Sequence, residues 1–337
     1  QSANWADTVQ LKGFMSTAYQ KTDTKTSFNG EGLAGINEDG VFNGTKLGIN
    51  LTIPINNKIT VATQFLSILE GAENYNTHLD WAIISYKLTD ELQFRAGKIK
   101  FPTGILNEYR DVANSYPWIS TPVLFYSTEA IGPRNTSESY TGVSGLGEYY
   151  IEDTLISLDI FTGEVEAEEM YLRQLIGAKL FLNWDDTLNL QATYYQGEMV
   201  RMAGMVMTNS AIHSNYAFGM NLDWNNIIAY AEWAKTDTQD DTTSGTSWYT
   251  TLGYQIDDWL PHITYQSLER GIGSTDEHLQ NMTTLGLRYD LFDNADVKFE
   301  YSYINTPTGA GLFEDETFNP TTDKNVNMFG VAFDLVF

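Results

Sequence analysis

The chain has 337 residues, with 44 acidic side chains against 19 basic ones, a formal net charge of −25, and no cysteine. That charge argues against nucleic acid and anionic headgroups as partners. The missing cysteines remove disulfides, thiolate metal sites and thiol nucleophiles together. No apolar run approaches the roughly 18 residues of a spanning helix. A transmembrane barrel shows the same averages, because only alternate residues face lipid. No secretory h-region opens the chain, so export requires Gln1 to follow a signal already removed.

From residue 9 to residue 20 the chain alternates, with Leu11, Met15, Thr17 and Tyr19 on one face and Lys12, Phe14, Ser16 and Ala18 on the other. This is strand period. After a Gly/Asn/Asp-rich loop, Leu47, Ile49, Leu51 and Ile53 alternate with Lys46, Gly48, Asn50 and Thr52, and Asn56-Asn57 closes a tight hairpin. The unit recurs, with tight turns at 89–91, 152–153, 184–186, 225–226, 257–258 and 293–294, each flanked by about ten alternating residues. The other connections, at 22–43, 71–77, 164–174, 200–211, 237–245, 269–280 and 305–324, read as long. Strict alternation of short and long connections sets all tight turns at one end of a meander of about sixteen strands. A sandwich has no reason to keep that asymmetry.

The two faces sharpen the choice. Phe218, Met220, Leu222 and Trp224, or Phe329, Val331, Phe333, Leu335 and Phe337, form apolar stripes with aromatics near the strand ends. The opposite stripes, such as Asn189, Gln191 and Thr193 or Lys298, Glu300 and Ser302, are too polar for a packed core and suit a water-filled interior. The fold class is therefore all-β: a transmembrane antiparallel barrel forming one domain over 1–337.

One long connection breaks the pattern. Between the strand at Leu92–Gly97 and Tyr140, the prolines Pro102, Pro117, Pro122 and Pro133 forbid a strand ladder. Ile105, Leu106, Tyr109, Trp118, Leu124 and Phe125 make the segment too apolar for disorder, so it is expected to pack against something.

The terminal strand, ending on Phe337, resembles the assembly signature of Gram-negative outer-membrane barrels. The run Arg95-Ala-Gly-Lys98, then Pro102, Tyr116-Pro-Trp118 and Pro122 to Tyr126, is similar to the fifth strand and third loop of general-diffusion porins of proteobacteria. The resemblance implies a sixteen-stranded barrel, often trimeric, with short periplasmic turns and long extracellular loops. It sits in the cell outer membrane among lipid and lipopolysaccharide, and its third loop, here 100–139, folds into the pore. Small hydrophilic solutes and ions are then the partners, by passive diffusion.

A pore selects by radius and lining charge. Strand parity points Lys12, Lys46, Arg95, Lys179, Arg288 and Lys298 into the lumen as pore wall, and leaves Lys98 and Lys100 open because a bulge there would swap their faces. The loop brings Glu108, Asp111 and Glu129, with Arg110 and Arg134 of opposite sign. Similar porins set a basic wall against an acidic third loop, which this chain matches with fewer bases, and a weak cation preference is expected. Set against that, the arginines bond loop carboxylates and carbonyls, the lysines are simply solvated, and Trp118 anchors the loop to the wall.

No cofactor is expected. Asp237, Asp240 and Asp241, and separately Glu164, Glu166, Glu168 and Glu169, are candidates to gather Ca²⁺ on external loops, with solvated surface charge as the plainer reading. His78, His213, His262 and His278 lack metal-ligand spacing. No Gly-x-Ser-x-Gly, P-loop or His-Glu-x-x-His motif suggests an enzyme. The apolar stretch 199–207 is expected to meet lipid or a neighbouring subunit. Two alternatives stand beside diffusion: a substrate-specific channel, and an adhesion or partner-binding barrel using its acidic external loops.

Overall fold

Strand side chains point alternately to opposite faces, so one stripe of each strand meets one solvent and the next stripe the other. In the computed structural model the strands close into a single sixteen-membered antiparallel barrel. It describes residues 9–30, 35–42, 44–70, 74–126, 138–166, 170–203, 206–239, 244–272, 275–314 and 316–337. The first strands are β1 (Gln10–Thr22), β2 (Lys46–Pro54), β3 (Ile59–Glu70), β4 (Asn74–Lys87) and β5 (Leu92–Lys100). A long loop, L3 (101–138), leads to β6 (Ser139–Ile151), β7 (Thr154–Glu166), β8 (Met170–Trp184), β9 (Leu188–Ala203) and β10 (Val206–Trp224). The remaining strands are β11 (Ile227–Thr238), β12 (Gly245–Tyr254), β13 (Trp259–Ile272), β14 (Thr275–Phe292), β15 (Ala295–Asn305) and β16 (Asn325–Val336). Closure is made by β1 on β16, in register from Phe14 opposite Val336 to Thr22 opposite Met328.

Burial is inverted relative to a water-soluble protein. On β7, Leu158 and Ile160 are exposed while Asp159 and Phe161 are buried. Rings project outward in two belts: Tyr149, Trp184, Trp224 and Phe292 near the tight turns, and tilted pairs such as Tyr194–Tyr216 and Tyr301–Phe329 toward the other end. Asp185, Asp186, Asn225 and Asn226 all have positive φ, as the predicted two-residue hairpins require.

The expectation of uniform strands of about ten residues does not hold. Strands run from 9 to 19 residues, and four connections read as long are largely strand. Between β3 and β4 only 71–73 intervene, between β7 and β8 167–169, between β9 and β10 204–205, and between β13 and β14 273–274. Beyond the hydrocarbon the outward face no longer needs apolar residues, so the sequence stops alternating while the backbone ladder continues. Of the stretch 199–207, residues 199–203 lie in β9 and 206–207 in β10, strand rather than loop, and Met199 and Val200 are buried.

The interior is drier than its polar stripes suggested. Besides L3, the described residues of the first loop, L1 (23–45), and of the last, L8 (306–324), turn inward and pack over β13–β16. Phe28 and Ile36 of L1, Leu124 of L3 and Leu312 and Phe313 of L8 join Leu268, Met282, Ile304 and Val326 in one apolar cluster. Asp323 fastens L8 to L1 by accepting from Thr24 Oγ1 (2.5 Å) and Thr26 Oγ1 (2.8 Å). Sequence reading placed no weight on L1 or L8, because neither carries a proline cluster or a distinctive apolar run.

Candidate constriction site

L3 leaves the end of β5 with the ladder to β6 unbroken, from Leu92 opposite Gly147 to Lys100 opposite Ser139. Gly97 has φ +131°, and a Cβ there would lie 2.2 Å from the Ala82 carbonyl oxygen, so only glycine fits. Past it Ile99 and Lys100 are both buried, and Lys100 turns into the lumen. Its ammonium lies 2.9 Å from Asp80, 2.9 Å from Asp111 and 2.8 Å from Glu138. Those three carboxylates are the one cluster of metal-ligand geometry among the described residues, and the ammonium already occupies its centre. Lys98, two residues earlier, instead donates to the Leu79 carbonyl at 2.7 Å.

The loop root then packs on β6–β9. Phe101 meets Tyr140, Phe161 and Tyr195 edge-on, while Gln191 and Thr193 donate to the Pro102 carbonyl. Asn107 returns to the Phe101 carbonyl. Glu108 forms an ion pair with Lys179 of β8, and Arg95 pairs with Asp159 and donates to Ser144 at 2.9 Å.

The loop tip reaches the opposite wall, across the closing seam. Lys298, fully buried on β15, donates to the Ala113 carbonyl (2.6 Å), pairs with Asp334 (2.9 Å) and lies over the Tyr116 ring. Arg288 donates to the Asn114 and Tyr116 carbonyls at 2.7 and 3.2 Å, and the Asn114 amide answers Asp296. Lys46 of β2 lies 3.8 Å from Asp111 and 3.5 Å from the Arg110 carbonyl. Arg110 pairs with Glu138 at 3.1 Å and donates to the Tyr126 carbonyl.

The returning limb is fixed by carboxylates and amides of the wall. Trp118 is buried against Tyr230 and Tyr249, and its indole N–H donates to Thr264 at 2.8 Å. The amide of Ile119 donates to Glu300, that of Leu124 to Gln266 and that of Ile105 to Glu232. A one-turn helix, α1 (Val123–Tyr126), ends on the Tyr126 hydroxyl, which donates to Glu232. Polar stripes assigned to water in the sequence therefore satisfy loop backbone instead.

Of the residues singled out beforehand, Lys46, Arg110 and Asp111 come together in one cluster. Arg95, Lys179 and Glu108 gather on the β5–β8 wall, and Arg288 and Lys298 hold the tip with Trp118 nearby. The expected open basic wall is replaced by pairs, since Lys46, Arg95, Lys179, Arg288 and Lys298 each meet a carboxylate. Lys12 lies toward the tight-turn end and is exposed. Glu129 and Arg134 lie outside the described residues, as do Asp240, Asp241, Glu168 and Glu169 of the suggested Ca²⁺ groups. Asp80, Glu138 and Glu232 were not anticipated; parity leaves the face of Lys100 open, and Glu300 reads only as part of a stripe facing water.

Three loop carboxylates are held ionised. Burial pushes the Asp111 carboxyl up, but Lys100, Lys46 and Arg110 overcome it and leave it well below the usual carboxylate range. Burial likewise opposes and Lys179 reverses the shift at Glu108, which is also lowered. At Asp323 the hydrogen bonds from Thr24, the Asn319 amide and Thr26 outweigh burial in the same direction.

Beside the tip a cavity of about 300 Å³ remains between L3, L1 and the β16–β1–β2–β3 wall, with Lys46, Arg110, Asp111, Glu138 and Asp334 in its lining.

The sequence matches the family model for Gram-negative porins over residues 1–309. No curated protein sequence matches the chain. Among solved structures it is similar to Salmonella typhi OmpF in complex with daunomycin (15% identity, 98% of this chain and 97% of that one, TM-score 0.65). It also resembles an anion-selective porin from Comamonas acidovorans (12%, 98% and 99%, 0.64) and the trimer form of the Vibrio cholerae outer-membrane protein OmpT (13%, 98% and 99%, 0.59). At such identities these likenesses speak for the fold.

Proposed function

The chain belongs to the Gram-negative porin family, and we propose that L3, joined by L1 and L8, is the element that sets what passes through this outer-membrane channel. The protein is a diffusion porin for small hydrophilic solutes and ions. The observation that carries the proposal is the crossing of the lumen by L3, from Lys100 on one wall to Lys298 on the other, which leaves the cavity beside Asp111 as aqueous space. Passage, with no bond made or broken, is the reading, and no enzymatic role is assigned.

In the lining of that cavity Asp111, Glu138 and Asp334 outnumber Lys46 and Arg110, which supports a weak cation preference. A homotrimer among lipid and lipopolysaccharide is the proposed assembly. Purified protein in planar bilayers is expected to give stepwise, ohmic channels with a modest preference for K⁺ over Cl⁻. Absence of steps rejects the channel, and a chloride preference rejects the lining assignment.

A further inference from the structure

On the tight-turn side of L3 the lumen wall carries an uncharged row that the constriction does not use. Asn183 of β8, Asn189 of β9 and Asn221 of β10 stand directly opposite one another in the strand register. They point inward, since Asn183 shares the parity of Lys179, and Asn189 that of Gln191 and Thr193, all of which meet L3. Their amides are joined side by side: Asn183 Nδ2 donates to Asn189 Oδ1 at 2.8 Å, and Asn189 Nδ2 to Asn221 Oδ1 at 3.1 Å. The next inward residue of β8 toward L3 is Phe181, which stands opposite Ser157 and Gln191 and is half-buried.

Sheet stability alone does not ask for this arrangement. Farther round the wall the hydroxyl pairs Thr251–Thr264 and Thr284–Ser302 are buried, so each must find its partner inside the protein. The three asparagines are only half-buried, and water can answer each of them singly. Joined instead, they hold their amide planes in fixed orientation, and each amide keeps donor or acceptor capacity for the lumen. No formal charge stands in the row, so it favours neither cation nor anion. A hydrocarbon leaves the amides unanswered. A ring with hydroxyls on its rim and C–H groups on its faces answers both surfaces: the hydroxyls bond to the amides, and one face lies on the Phe181 ring. Resting on the channel reading, we infer that Asn183, Asn189, Asn221 and Phe181 form a subsite for neutral sugars in pyranose form on the tight-turn side of the constriction.

The test uses planar bilayers carrying the full-length protein in KCl, with D-xylose or triethylene glycol added. Both solutes are neutral and of the same mass, and only xylose has a ring of hydroxyls. The reading is the fall of single-channel current beyond the fall in bulk conductivity. Xylose is expected to give a saturable excess block, and triethylene glycol none. Asn189→Leu removes the central amide and Phe181→Leu the flat ring. In each, the xylose concentration for half block is expected to rise roughly fivefold, the worth of about one neutral hydrogen bond. Equal effects of the two solutes on the unaltered protein overturn the subsite. A half-block concentration unchanged in both variants overturns it as well, and marks the row as a strand-to-strand ladder only. Absence of any channel would overturn the diffusion reading beneath it, a result distinct from equal block.

Discussion

Lys100 shows how one side chain can organise a loop. Its three carboxylate partners come from β4, from the middle of L3 and from the end of L3, so a single ammonium ties the loop's root to its tip. Replacing it with methionine leaves Asp80 and Asp111 buried and uncompensated, which costs about 3–5 kcal/mol when one partner of a buried pair is removed. The expected outcome for Lys100→Met is a channel whose current flickers between levels at fixed voltage; a steady current of the original size would refute the role. The pH dependence has a definite sign. The carboxyls of Asp111, Glu108 and Asp323 all lie below their ordinary values of 3.8 to 4.5. Depressed groups contribute stability that is fully present above the unfolded value and lost as pH falls through the folded one. These three carboxyls are therefore expected to hold their loops unchanged from neutral pH down to about 4.5, and to let go only below the unperturbed carboxylate range near 4. Loss of the difference in reversal potential between Asp111→Asn and the unaltered protein already at about pH 6 would contradict the assignment.

At the scale of elements, L3 is a strut rather than a flap. One limb rests on Phe101, the tip on Lys298 and Arg288, and the returning limb on Trp118, Glu232 and Glu300. Trp118→Ala removes a ring buried against Tyr230 and Tyr249, at a cost of about 3–5 kcal/mol to docking. Because the strand ladder does not include Trp118, heat resistance of the barrel on unboiled gels is expected to be little changed while open-channel noise rises. L8 makes a separate contribution. Phe313→Ser introduces a hydroxyl into the cluster that joins L1, L3 and L8 and leaves a void there. Its expected result is a larger unitary conductance, as L8 and L1 withdraw from the mouth; an unchanged conductance would show that the two loops do not limit the path.

Over the whole molecule, closure brings charges together that no local pattern relates. Lys298 and Ala113 are 185 residues apart, and Arg288 and Asn114 are 174 apart. The balance of those charges, rather than any one of them, sets ion preference. Removing one unit of lining charge at about 4 Å changes an ion's energy by roughly 1 kcal/mol in water, a several-fold change in permeability ratio. Reversal potentials in a salt gradient are thus expected to shift toward chloride in Asp111→Asn and toward potassium in Lys46→Met. Shifts of the same sign in both variants would place the charge filter elsewhere in the barrel.

The residue order alone was enough to determine the barrel. Leu285, Leu287, Tyr289 and Leu291 alternating with Thr284, Arg288 and Asp290 demand two different solvents on two faces, and turn pairs such as Asn225-Asn226 accept the positive φ of tight hairpins. Four prolines in one segment likewise marked L3 as a loop, since a residue without N–H cannot sit in a central ladder. Partner choice inside the barrel was decided only by the tertiary structure. Strand parity says that Lys46, Arg95 and Lys298 point inward, but parity has no term for what they meet there. Lys100, whose face parity left undecided, became the centre of the constriction only because Asp80 of β4 and Asp111 and Glu138 of L3 converge on it. The inward turn of L1 and L8 was equally out of reach of the sequence, because their apolar residues form a core only with Leu124 and the wall of β13–β16 already in place. Local pattern is fixed by the solvent on each face, whereas contacts across a lumen are fixed by how the sheet closes.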